Sequence, residues 1–228
     1  MRIEDLNWMD VEDYLTKEDR LILIIGATEQ HGYLSLASDT RIPQALADAA
    51  SQKTGVVVAP PLSFGSSPYF LHYPGTLSLR IATLLDVVED LVRSAYEQGF
   101  RRILLLNGHG GNDGSRARLY KLVNQLPELQ VRWYSWWTSH SVQNVAEKHK
   151  IKPSHANWLE AFPFTIVSEL PDGSKNPPFI AGILNARQAR ETYGDGSFGG
   201  EYKVDSEIMQ ELFDAAFQDV LSLLEFVE

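Results

Sequence analysis

Within eleven residues the chain gathers a carboxylate, an imidazole and a second carboxylate: Glu29, His31 and Asp39. On extended backbone a Glu-x-His pair turns both side chains the same way, because the side-chain period is two. The pair can hold one metal ion or two neighbouring ones. Asp39 has two oxygens and can bridge two ions. The competing reading is a solvated loop in which Asp39 caps a helix starting near Thr40-Arg41-Ile42-Pro43. Far along the chain, His109 stands in Asn107-Gly108-His109-Gly110-Gly111-Asn112. Packing explains a histidine between glycines poorly, since glycine lets backbone or substrate come close. Neutral imidazole is also the commonest protein metal ligand. The same loop resembles a phosphate-cradling turn. However, Asp113 occupies the third glycine position of the dinucleotide fingerprint, and no P-loop lysine follows.

Other chemistries are excluded by composition or by failed motifs. There are no cysteines, which removes disulfides, thiolate metal sites and cysteine nucleophiles. Gly-x-Ser-x-Gly is absent, because Asp195-Gly196-Ser197-Phe198-Gly199 fails at its first position. No HExxH stretch occurs. A formal net charge of −10 argues against a nucleic-acid partner. The acidic N-terminus has no apolar signal region and no run is long enough to span a bilayer, so a cytoplasmic protein without a membrane partner is expected. With 228 residues, one domain over 1–228 is expected.

The elements that must position these groups follow from periodicity. Leu21–Ile25, Val56–Ala59 and Ile103–Leu106 are continuously apolar, as strands buried on both faces are. Residues 130–137 form a fourth strand, rich in aromatics. Helices are expected over 11–16, 42–51, 81–99, 115–126, 139–150 and 205–226. Alternating strands and helices indicate an α/β domain with a mostly parallel sheet. The Glu29 and His109 loops each follow a strand, so both emerge at the carboxyl edge, where open α/β sheets bind ligands. The loop over 62–79 is long enough to be functional; Ser66, Ser67 and His72 in it are candidates to orient a substrate.

Four blocks then resemble the creatininase (creatinine amidohydrolase) family, which also holds formamide hydrolases of flavin and deazaflavin biosynthesis and a peptidase of mycofactocin maturation. They are Gly26-Ala27-Thr28-Glu29-Gln30-His31-Gly32 with Asp39, Tyr73-Pro74-Gly75-Thr76, Asn107-Gly108-His109-Gly110-Gly111-Asn112, and His155-Ala156 with Glu160. They occur in the family's order. The resemblance implies a three-layer α/β/α fold, a two-metal site and, in many members, a homohexamer. It also implies metal ligation by Glu29, His31, Asp39, His109 and Glu160, with Asp39 bridging and His155 as catalytic proton carrier alongside Glu160. The chain departs from the family at Gly111, where creatininase has a further glutamate, at Tyr69-Phe70, where many members have Glu-His, and at Asn157-Trp158 and Ala161. The step from His31 to Asp39 is one residue shorter than in creatininase.

The expected activity is hydrolysis of a non-peptide amide C–N bond, in a small cyclic amide or a formamide, by a hydroxide bridging two Zn²⁺ or Mn²⁺ ions. His155 passes a proton to the leaving nitrogen. One of Trp133, Trp136, Trp137 or Trp158 is a candidate to stack on a planar small-molecule substrate, Trp136 and Trp158 foremost; the competing reading is core or subunit packing. The alternative is a catalytically silent member that serves as a binding or structural protein.

Overall fold

The structure is a computed structural model and describes residues 1–227. Its centre is a four-stranded, wholly parallel sheet made of β1 (Arg20–Ile25), β2 (Val57–Val58), β3 (Arg102–Asn107) and β4 (Gln130–Ser135), in the order β2-β1-β3-β4. β1 and β3 lie in register, with Leu21 beside Ile103 and Ile25 beside Asn107. Side chains alternate across the sheet, and both faces are covered, which is why these strands read as unbroken aliphatic runs. Ile22, Ile24, Leu104 and Leu106 pack under α2 (Ser38–Thr54), α5 (His140–His149) and α7 (Ser206–Leu224). Leu21, Leu23, Ile25, Ile103 and Leu105 pack under α3 (Ile81–Gln98) and α4 (Arg116–Gln125), with α1 (Trp8–Leu15) at the margin. The result is the expected three-layer α/β/α arrangement. A short helix, α6 (Ala186–Tyr193), and a two-residue antiparallel pair, β5 (Ser174–Lys175) with β6 (Gly200–Glu201), lie outside the layers. Among the described residues no helix is long and apolar enough to cross a membrane.

The expected helices form, with shifted ends. α3 stops at Gly99, whose φ of 116° suits the left-handed closing position. The largest shift is in α2, which starts four residues earlier than periodicity indicated, at Ser38. Asp39 therefore lies in the first helical turn; Ala37 is the capping position and makes no side-chain cap bond. The capping reading of Asp39 is thereby corrected.

That first turn rests on the ends of both central strands. A Cβ on Gly108 would fall 1.8 Å from the Asp39 carbonyl oxygen and 2.9 Å from the Pro43 ring; one on Gly26 would fall 2.7 Å from the same oxygen. Pro43 also has no N–H to donate to that carbonyl four residues back. The Asp39 carbonyl is thus turned toward two glycines at the ends of β1 and β3. Gly108→Ala is expected to lower stability by about 1–3 kcal/mol, the usual range for overpacking. It should also weaken metal retention, because the turn carrying Asp39 must move. Denaturant unfolding and elemental analysis of the purified variant check both.

Candidate metal centre

Glu29, His31, Asp39, His109 and Glu160 are all at least nine-tenths buried and meet at the carboxyl edge of the sheet. Glu29 and His31 leave β1 through Gly26, Asp39 comes from α2, His109 from the loop after β3, and Glu160 from a short turn at Trp158–Glu160. They form two triads, Glu29–Asp39–His109 and His31–Asp39–Glu160, each with ligand atoms within 4.8 Å of one another, and Glu29 and His31 make a third group of the same spacing with His155. Asp39 belongs to both triads. Its Oδ1 is 2.9 Å from His31 Nε2 and its Oδ2 is 3.0 Å from His109 Nδ1. Glu29 Oε1 is 3.4 Å from His109 Nδ1, and Glu160 Oε1 is 3.7 Å from His31 Nε2.

The atoms that face inward are unsatisfied. Glu29 Oε2, His31 Nε2 and Asp39 Oδ2 are buried without a hydrogen-bond partner, although imidazole nitrogens lie at ion-pair distance from the carboxylates. These side chains converge on shared points, as ligands around cations do. An oxygen and imidazole donor set suits Zn²⁺ or Mn²⁺. The outward atoms are held in place. His31 Nδ1 pairs with the Glu29 carbonyl at 3.1 Å, and His109 Nε2 with the Ser66 carbonyl at 2.9 Å. Each bond directs the other ring nitrogen inward. Ala156 N–H donates to Glu160 Oε2 at 2.6 Å, from a residue held at a φ of 53°. Left-handed backbone is costly for alanine and is retained where the surroundings fix it.

Electrostatics within the cluster are strongly perturbed. Burial pushes Glu29 up to about 7, with the Asp39 charge adding to it. Burial disfavours a charged His109, yet the Glu29 and Asp39 carboxylates raise it to about 9. Burial likewise opposes charge on Asp39, but the His31 and His109 imidazoles hold it well below the usual carboxylate range. Without a cation, the histidines supply the positive charge that three buried carboxylates demand.

His155 sits beside the triads. Its Nδ1 is 3.8 Å from Glu29 Oε1 and its ring stacks on Phe70 at 4.9 Å. Burial pushes its pKa down to about 4, reinforced by His31, so the ring is neutral at pH 7. Glu29, Asp39, His109, Glu160 and His155 line a cavity of about 760 Å³.

The substrate candidates divide. Ser66 and Ser67 line the cavity, and both also face His109, Ser67 Oγ at 3.3 Å from its Nε2. His72 lies outside it, exposed on the surface near Arg190, and is corrected as a substrate residue. Trp136 and Trp158 are corrected too: both are fully buried in the core that covers the sheet, and Trp158 Nε1 donates to the Lys152 carbonyl. The tryptophan that reaches the cavity is Trp137. Sequence reasoning overlooked Tyr193, Phe198 and Gln30. Gln30 pairs with His155 at 2.8 Å, and its place between Glu29 and His31 was the available signal.

Because His109 is protonated at neutral pH in the ion-free protein and must be neutral to ligate, metal uptake should release protons. Calorimetric titration with Zn²⁺ in buffers of different ionisation enthalpy is expected to show release at pH 7.5. The His109 contribution should fade as pH rises through about 9.

Residues 4–224 match the Creatininase family, described as creatinine amidohydrolase. The creatinine amidohydrolase of Pseudomonas putida is 33% identical over 117 residues, 48% of this chain and 45% of the relative. The mycofactocin precursor peptide peptidase of Mycolicibacterium smegmatis is 39% identical over 110 residues, 45% of this chain and 44% of the relative. The chain thus spans about half the length of the curated relatives it matches. Among solved structures, a creatinine amidohydrolase (creatininase) superposes with a TM-score of 0.82 at 23% identity, covering 100% of this chain and 98% of the other. A manganese form of creatininase superposes at 0.80 and 22% identity, covering 98% and 97%. With residues 4–224 of its 228 matched, the chain belongs to the creatininase family.

Proposed function

We propose that this protein is a metal-dependent amidohydrolase that cleaves a non-peptide C–N bond, in a cyclic amide or a formamide. The observation that carries the reading is Asp39, whose two oxygens each face an imidazole of a different triad. Two divalent ions per chain, zinc or manganese, fit that donor set. Bound there, such ions supply an acidified water and polarise the substrate carbonyl.

The chain's own residues do the rest. Asp39 and Glu29 hold the donor set together from the β1 edge, and Glu160, fixed by the Ala156 N–H, closes the second triad. His155 is neutral and buried against Phe70, with Nδ1 toward Glu29. A neutral imidazole there can take a proton from the attacking water and return it to the leaving nitrogen, which cannot depart as an amide anion. The reading includes a cytoplasmic homo-oligomer, hexameric by family resemblance. A catalytically silent role is disfavoured because Glu29, His31, Asp39, His109 and Glu160 meet in two triads and buried atoms of Glu29, His31 and Asp39 are unsatisfied. A peptide bond is the second substrate class, favoured by the likeness to a relative described as a peptidase.

Protein purified without chelator is expected to hold one to two metal ions per chain by elemental analysis. His109→Ala should lose both metal and activity. His155→Ala should keep its metal while activity falls by about 10²–10⁴-fold. A metal-loaded wild type that turns over no cyclic amide, formamide or peptide in a panel would remove the hydrolase reading.

A further inference from the structure

Resting on that reading, we infer that the substrate is uncharged away from its scissile amide and carries a flat aromatic group that lies on a wall built from Tyr69, Phe70, Tyr193 and Phe198. Three observations support this.

The first is size. The cavity of about 760 Å³ is in the range that encloses a drug-sized ligand. A small cyclic amide at the triads would leave most of it to water.

The second is the nature of the wall. Tyr193 and Phe198 stack at 4.2 Å and 21°, and Phe70 lies 5.8 Å from Phe198 and 5.3 Å from Tyr69. The wall is continuous with the reacting end, because His155 stacks on Phe70 and lies 4.9 Å from Phe198. Its rings come from two distant segments, the long loop after β2 and the end of α6 with the glycine-rich turn that follows. Trp137 and Ile81 add further apolar surface beside the His109 loop. Aromatic rings favour flat, polarisable partners in stacked or edge-to-face contact.

The third is charge. No Lys or Arg is among the residues lining the cavity, and its charged side chains are those of the triads. Away from the triads its polar groups are neutral, such as Thr138, Gln143 and Ser154. Away from the triads, a phosphate or carboxylate on the substrate would meet no Lys or Arg, in a protein of net charge −10. Burying an unpaired charge is costly.

The test uses metal-loaded protein and three probes: N-formyltryptamine, its carboxylated counterpart N-formyl-L-tryptophan, and N-methylformamide. The expected kcat/KM for N-formyltryptamine exceeds that for N-methylformamide by about 100-fold and that for N-formyl-L-tryptophan by about 10-fold, in line with burial of an aromatic group and rejection of an unpaired charge. In Phe198→Ala the preference for N-formyltryptamine over N-methylformamide should shrink by about 10-fold, mainly through KM, and Phe198→Tyr should restore it. Phe198→Leu, with a melting curve, guards against a variant that simply fails to fold. Equal kcat/KM for the small and aromatic formamides, or for the carboxylated and uncharged ones, overturns the inference. If no probe is turned over, the amidohydrolase reading loses support, and calorimetric binding decides the inference separately. Binding of N-formyltryptamine that is lost in Phe198→Ala and absent for N-formyl-L-tryptophan upholds it; no binding of N-formyltryptamine overturns it.

Discussion

The close approach of one helical turn to two strand ends underlies the whole centre. Asp39 can face both His31 and His109 only because the first turn of α2 rests on the ends of β1 and β3. Gly26 and Gly108 leave no side chain in the way, and Pro43 leaves the Asp39 carbonyl without its helical donor. The backbone contact and the side-chain bridge are therefore one structural fact. Any residue with a Cβ at position 108 has to displace the carboxylate on which both triads depend.

Around that bridge the protein accumulates charge that a folded interior resists. Three carboxylates lie buried with two imidazoles between them, and several inward atoms have no partner. Isolated buried charges are tolerated only when paired or bound to metal. Without ions the histidines are driven toward their protonated forms, while Glu29 is pushed up to about 7. The cluster is thus an expensive device for stability and a sound one for gripping divalent cations. The carbonyls of Glu29 and Ser66 fix which nitrogen of each ring faces inward, so the donor set is arranged before any ion arrives.

His155 joins this polar floor to the aromatic wall. It touches Glu29 on one side and stacks on Phe70 on the other, and burial keeps it neutral. The departures from the family pattern behave differently from one another. Tyr69 and Phe70 form part of the cavity wall. At position 111 a Cβ would fall 2.0 Å from the Ser66 carbonyl oxygen, so this loop is shaped around glycine. Glu160 stands in the second triad. Asn157 and Trp158 are structural: the Asn157 side chain bonds the Lys152 and Gly199 carbonyls, and Trp158 is core.

Much of this was legible from the sequence because it is local or topological. Leu21–Ile25 and Ile103–Leu106 read as doubly buried strands since both faces of the parallel sheet are covered, and parallel strands deliver the Glu29 and His109 loops to one edge. Residue types then restricted the chemistry to oxygen and imidazole ligands. Tertiary structure alone decided where side chains point. It set Asp39 inside α2, selected Trp137 from the candidate tryptophans by turning Trp136 and Trp158 into the core, and left His72 on the surface. It also assembled the aromatic wall from segments more than a hundred residues apart. Periodicity encodes burial along one element at a time, whereas a wall or a bridging carboxylate depends on contacts between elements, which only packing fixes.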